Sequence, residues 1–161
     1  MTTKTERSEK VIKMLGNHTT TMLVTHGKDG GLVSRPMTTQ KPEFDGDVWF
    51  FVSSDADVIE EVEANGEVNI AYSIEDNYLS LSGMASMVDD DAKKKELWYP
   101  ELEKWFNGEG PESSHVRLIK VSVDTARYWD TSQADSKKSK SNGSKKDKKD
   151  ESPIDSGMVK Y

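Results

Sequence analysis

Cysteine is absent from the 161 residues, which excludes disulfides, thiolate catalysis and Cys-ligated zinc. Histidine is scarce. His18, His26 and His115 are the only three, and their spacing matches no metal-ligand motif, so no metal site is expected. No apolar run approaches the roughly 18 residues that a membrane span needs. Met1 to Lys10 is polar, without the apolar stretch of a secretory signal. A cytoplasmic protein with no membrane partner is the expectation. The chain has no GxGxxG, no Walker loop and no nucleophile elbow, and it shows no internal repeat. Basic charge is in deficit, 22 Lys and Arg against 29 Asp and Glu, for a net −7. An acidic body repels nucleic acid, so no nucleic-acid partner is expected.

Tryptophan and phenylalanine are both missing between Ser132 and Tyr161, where Lys, Ser, Asp and Gly dominate. That stretch carries 8 Lys against 5 acids, which leaves the preceding part at −10. A segment so poor in apolar surface cannot offset the entropy of ordering it. The sequence therefore predicts one folded domain, Met1 to Thr131, and a disordered, dispensable tail, Ser132 to Tyr161.

Within the domain, Thr3 and Glu6 have capping-box spacing ahead of a helix to Leu15, which Gly16-Asn17 stops. Thr20 to Thr25 and Leu32 to Gln40 read as strands around the hairpin signal Asp29-Gly30. Pro36 cannot donate to a ladder and marks an edge or a bulge. Val48 to Ser53 is a dense apolar strand. A helix capped by Ser54 or Asp55 follows, with Val58, Ile59 and Val62 on one face and Glu60, Glu61 and Glu63 on the other. Strands are expected at Val68 to Ile74, Tyr78 to Val88, Val116 to Val123 and Ala126 to Trp129. Asp89-Asp90-Asp91 opens a third helix, and a short one carries Leu102, Trp105 and Phe106 after Pro100. Six to seven mostly hairpin-linked strands with about three helices predict a mainly β chain, an antiparallel barrel with flanking helices.

Three segments could carry chemistry. Arg35 beside Pro36 offers a planar donor fork that suits a phosphate or a flavin edge, although spacing alone favours a surface arginine on a bulged edge strand. Trp49-Phe50-Phe51-Val52-Ser53-Ser54-Asp55 runs from a strand into a helix start, which can bind phosphate or simply be an ordinary cap. The aromatics Trp98, Tyr99, Trp105, Phe106, Tyr128 and Trp129 can wall a planar cofactor or fill a core or dimer interface.

The order of these segments resembles the pyridoxamine 5′-phosphate oxidase-like FMN-binding split barrels, nearest their general stress protein 26 subgroup. The carriers are Met22-Leu23-Val24-Thr25, Ser34-Arg35-Pro36-Met37, Trp49-Phe50-Phe51-Val52-Ser53, Val68-Asn69-Ile70-Ala71-Tyr72, Leu79-Ser80-Leu81-Ser82-Gly83, Leu97-Trp98, Trp105-Phe106 and Tyr128-Trp129-Asp130. The resemblance implies a split β-barrel, a homodimer and one FMN in each of two interfacial clefts. By position, Arg35, Pro36, Met37 and Thr38 would line the ribityl-phosphate and ring edge. Phe51, Val52 and Ser53 would flank the flavin, Tyr78 would approach from the next strand, and Trp98 and Trp129 would come from the partner chain. It further implies a stress-associated flavoprotein, an oxidoreductase of unknown substrate, with a non-enzymatic flavin binder, or a deazaflavin or heme binder, as the alternative. No catalytic side chain is assigned. Two departures stand out. Many relatives place a Lys or Arg at the helix start, where this chain reads Ala56-Asp57-Val58, and Val58 is the position expected to accept a restored charge. Thr131-Ser132-Gln133 also lacks the Arg and His with which the true oxidases hold pyridoxal, which argues against vitamin B6 oxidation.

Overall fold

The computed structural model describes residues 3–15, 20–40, 45–132 and 154–161. Among the described residues, seven antiparallel strands form one sheet: β1 (Thr20–His26), β2 (Leu32–Thr38), β3 (Asp47–Ser53), β4 (Glu67–Ile74), β5 (Asn77–Val88), β6 (Val116–Asp130) and β7 (Asp155–Lys160). Their order is β2-β1-β4-β5-β6-β3, with β7 also paired to β6. Helices α1 (Lys4–Leu15), α2 (Asp57–Ala64) and α3 (Asp91–Leu97) flank the sheet, with a 3-10 helix at Pro100–Trp105. The mainly β, split-barrel class expected from the sequence is what forms. Its two terminal strands, β2 and β3, approach where Gln40 N–H donates to the Trp49 carbonyl (3.1 Å), yet no ladder joins them. No helix among the described residues is long and apolar enough to cross a membrane.

Local chemistry accounts for these elements. Thr3 and Glu6 exchange the two bonds of a capping box, 2.9 and 3.1 Å, at the start of α1. Gly30, at φ 84°, makes the β1–β2 turn. Pro36 faces Met22 on β1 and has no strand on its other side, so its missing N–H leaves no ladder position empty. The apolar run on β3 is continuous because that strand is buried on both faces. Phe50 enters the main core with Leu23, Ile70, Leu81, Ile119 and Val121. Phe51 enters a second core with Leu97, Leu102, Phe106, Val116 and Leu118, beneath α3 and the 3-10 helix.

Four expectations are corrected. The two last strands of the domain are one, β6, and the expected break is a bulge: Ser82 pairs with Thr125 and Gly83 with Val123, so Asp124 has no partner on β5, and its carbonyl accepts from Tyr161 N–H (2.8 Å). Gly83 is required there, because a Cβ would lie 2.1 Å from the Ser122 carbonyl oxygen. Secondly, α2 is capped by Ala56, without a side-chain bond, rather than by Ser54 or Asp55. Asp55 instead accepts from Ser53 Oγ (2.6 Å). Thirdly, Glu61 does not lie on the solvent face of α2; it is buried beside Val58 and Val62. Lastly, the tail is not unstructured throughout. Asp155–Lys160 pairs with β6 along Thr125 to Asp130, on the edge β3 leaves open, and Val159 is 1% exposed. Residues 133–153, which hold the rest of the expected tail, lie outside the described residues, as does His18.

Lys10 on α1 clasps this terminal strand, bonding Asp130 (3.1 Å) and Asp155. Burial works against the Lys10 ammonium, but its bonds to Asp155 and Asp130 raise it overall. Bonds from Ser132, and then from Lys10, hold the Asp130 carboxyl below its ordinary 3.8. A depressed carboxyl stabilises the fold above its unfolded pKa and loses that contribution as pH falls through the folded one. Asp130→Asn is therefore expected to melt below the native chain at about pH 6, with the gap closing below about pH 4. Paired melting curves across that range check it.

Candidate functional site

The gap between β2 and β3 is a cleft of about 420 Å³. β2 contributes Arg35 and Met37, β3 contributes Phe51, Val52 and Ser53, the start of α2 contributes Ala56, Asp57 and Val58, and Trp105 and Phe106 come from the 3-10 helix and the residue after it. The two unpaired ends of the sheet thus bring together segments about fifteen residues apart in sequence. Trp98 does not line the cleft. Its ring packs edge-on to Phe51 of the same chain (5.4 Å between centroids) and against Phe106 (5.9 Å), and so supports the aromatic wall from behind. A larger recess of about 700 Å³ beside α1 is lined by charged and aliphatic groups, with no aromatic wall.

Arg35 is the cleft's cation, and it is already engaged. Its Nη2 donates to Thr25 Oγ1 (2.9 Å) and to Glu61 Oε2 (2.5 Å), and the Thr25 hydroxyl donates to the same Glu61 oxygen (2.6 Å). The Arg35 and Glu61 side chains are 21% and 9% exposed. Arg35 Nη1 is buried and has no hydrogen-bond partner among the described residues. Glu61 lies one helical turn beyond Asp57 on α2, so β1, β2 and α2 meet in this one polar triad. Removing the guanidinium strands a buried carboxylate. Arg35→Ala is expected to cost about 3 kcal/mol, and the double variant Arg35→Ala with Glu61→Met to recover most of it. Urea denaturation of both checks the pair.

The helix start holds two further surprises. Val58 is buried in the main core at 3% exposed, so it is not the place for a restored positive charge. Asp57, exposed and lining the cleft, is the residue at that place. The Ser53 hydroxyl donates to Asp55, whose carboxyl is held below its usual range first by that bond. It is therefore not a spare donor.

Of the expected site residues, Arg35, Met37, Phe51, Val52 and Ser53 line the cleft together. Pro36 is exposed on the opposite face of β2, and Thr38 pairs with Thr20 on β1. Tyr78 and Trp129 are cross-strand neighbours on the outer face of β5 and β6, away from the cleft of their own chain. Ala56 lines the cleft without any signal for it in the sequence, and Trp105 and Phe106, weighed from the sequence only as possible walls of a planar cofactor, line it as well. Trp105-Phe106, an apolar pair after a Pro-started short helix, was the signal for two of them.

The comparisons with known proteins agree with this architecture. The family described as pyridoxamine 5′-phosphate oxidase like matches residues 6–150. The protein bli-3 of Neurospora crassa is 29% identical over 125 residues, 71% of this chain and 60% of that protein, so the chain spans less than two thirds of that relative's length. The crystal structure of the general stress FMN/FAD binding protein of Xanthomonas citri is 32% identical, covering 78% of this chain and 89% of that one at a TM-score of 0.68. A general stress family protein of Xanthomonas campestris pv. campestris is 29% identical, covering 94% and 98% at a TM-score of 0.70. With a family match over most of its length and the split-barrel sheet to go with it, this chain belongs to the pyridoxamine 5′-phosphate oxidase like family.

Proposed function

We propose that this chain is an FMN-binding, stress-associated flavoprotein that holds the flavin in the β2–β3 cleft and works as an oxidoreductase. The observation that carries the reading is the convergence of Arg35, Met37, Phe51, Val52 and Ser53 on one cleft with an aromatic wall. The residues fit the group in three respects. Met37, Val52 and Phe106 offer apolar surface to a ring. Arg35 Nη1 is a buried donor with no partner among the described residues. α2 begins without a side-chain cap; the Ala56 and Ile59 amides donate to the Ser53 and Ala56 carbonyls, which leaves those of Asp57 and Val58 as the ones a phosphate oxygen would meet. FMN bound there supplies hydride or electron chemistry at its ring. The chain's own groups would bind and orient it and exclude water from its apolar side. No histidine lines the cleft, and its one hydroxyl is bonded to Asp55.

The chain is proposed to act as a homodimer. One lateral row of the outer sheet face runs Pro36, Met22, Ala71, Ser80, Arg127, Met158 across six strands, with Met22 and Met158 each 39% exposed and Tyr78 43%. Apart from the exposed Arg127, the side chains of this row are small or apolar, which suits a second copy, and a partner's Tyr78 and Trp129 would then be free to approach the cofactor.

The test is the protein's own chromophore. Purified protein should be yellow, with a flavin absorbance spectrum, and denaturation should release a molecule of FMN mass. Bleaching of that spectrum by NADH or NADPH supports the oxidoreductase; a flavin that neither donor reduces supports the non-enzymatic binder. Pyridoxamine 5′-phosphate should not be turned over. Light scattering should give twice the chain mass, and a monomer at micromolar concentration would remove the interfacial part of the proposal.

A further inference from the structure

The cleft's charge is at odds with the phosphate it is proposed to hold. Its cation, Arg35, is already neutralised by Glu61, whose carboxylate is nine-tenths buried and bonded on one oxygen by both Arg35 and Thr25. Asp57 adds a second carboxylate, exposed at the cleft wall where α2 opens. Among the described residues no other cationic side chain lines the cleft. With Glu61 bonded to Arg35 behind the wall and Asp57 on it, this group of three charges sums to −1, and an entering phosphate would meet that excess rather than a free cation.

Resting on the flavin reading above, we infer that Glu61 and Asp57 are specificity-determining residues: by offsetting Arg35 they make the cleft grip a flavin through its ring and distinguish FMN only weakly from riboflavin. Glu61 acts through Arg35. It holds Nη2 and leaves Nη1 a buried donor without a partner among the described residues, so a phosphate gains a directed hydrogen bond without the full charge of the arginine. Asp57 acts directly, as a like charge beside the open helix amides that would otherwise favour an anion.

The experiment compares two ligands that share a ring and differ in the phosphate. Apoprotein is titrated with FMN and with riboflavin, following flavin fluorescence, for the native chain, Glu61→Gln and Asp57→Asn. The readout is the ratio of the two dissociation constants, which a general loosening of the fold does not move because both ligands would weaken alike. The native ratio is expected within about tenfold of unity. Glu61→Gln keeps the bonds to Thr25 and Arg35 through its amide oxygen while removing the charge, and is expected to shift the ratio about tenfold towards FMN. Asp57→Asn, at an exposed position that does not threaten folding, should shift it about threefold the same way, with less effect in high salt. A native preference for FMN of a hundredfold or more, or ratios unchanged in both variants, overturns the inference while leaving flavin binding intact. Failure of every protein to bind either flavin overturns the flavin reading, and this inference with it. Both flavins bound by the native chain with similar affinity, and FMN bound more tightly by Glu61→Gln, supports both.

Discussion

Deleting residues 154–161 is expected to lower the melting temperature by about 5–10 °C. Val159 is 1% exposed, and burying a side chain of that kind contributes about 1.5–3 kcal/mol. Deletion also removes the strand that pairs with Thr125 to Asp130 and uncovers Tyr128, which is itself 1% exposed. In a chain of this size 1 kcal/mol moves the midpoint by about 2–4 °C. Two point variants separate packing from length. Val159→Ala should account for about half of the loss, since it removes two buried methyl groups. Gly157→Ala should be as damaging, because a Cβ there would fall 2.5 Å from the buried Tyr128 hydroxyl oxygen. A truncated chain that melts with the full one would mean that β7 contributes nothing.

Lysine at Val58 and lysine at Asp57 are expected to act in opposite ways. Val58 is enclosed in the main core. A lysine there loses the apolar packing and buries an ammonium without a partner, at a cost of about 4 kcal/mol or more. That is a large share of the roughly 5–15 kcal/mol that holds a domain together, so the variant should be poorly soluble or melt far below the native chain. Asp57→Lys changes an exposed residue. It forgoes a favourable interaction with the α2 dipole, about 0.3–1 kcal/mol, and should remain folded. In exchange it replaces a repelling charge with one that can bond a phosphate. FMN affinity should rise about tenfold to a hundredfold, the equivalent of about 1.5–3 kcal/mol, and the gain should shrink in high salt. Melting curves and FMN titrations of the two variants check the contrast. Stronger FMN binding by Val58→Lys than by Asp57→Lys would mean the phosphate lies elsewhere.

The pair also shows what was legible in the sequence. Val58, Ile59 and Val62 mark the inward stripe of α2, so the burial of Val58 could be read from periodicity alone; position in the resembled family pointed the other way. Glu61 could not be placed in the same manner. It shares that stripe because Arg35 and Thr25 supply its partners, and they come from strands far away in sequence. The strands around the core were readable because apolar alternation and Asp29-Gly30 are local signals. β7 was not. Its only apolar side chains are Met158 and Val159, set in a segment whose average composition favours disorder. One buried valine, one glycine under Tyr128 and an open edge on β6 decide its place, and none of these shows in composition. The single β6 was missed for a related reason. Asp124-Thr125 looks like a turn, whereas the sheet absorbs it as a bulge opposite Gly83. As for the cleft, the β2 and β3 segments were each suggestive alone, but only the failure of the two end strands to pair brings them together.

The most direct test of the account is a stoichiometric titration of apoprotein with FMN. Saturable quenching of flavin fluorescence at one FMN per chain is expected, with an apolar substitution at Arg35, paired with Glu61→Met to keep the fold, changing the affinity for FMN more than that for riboflavin. Absence of saturable binding up to about 1 mM, weaker than about −4 kcal/mol, would contradict the cleft as a flavin site.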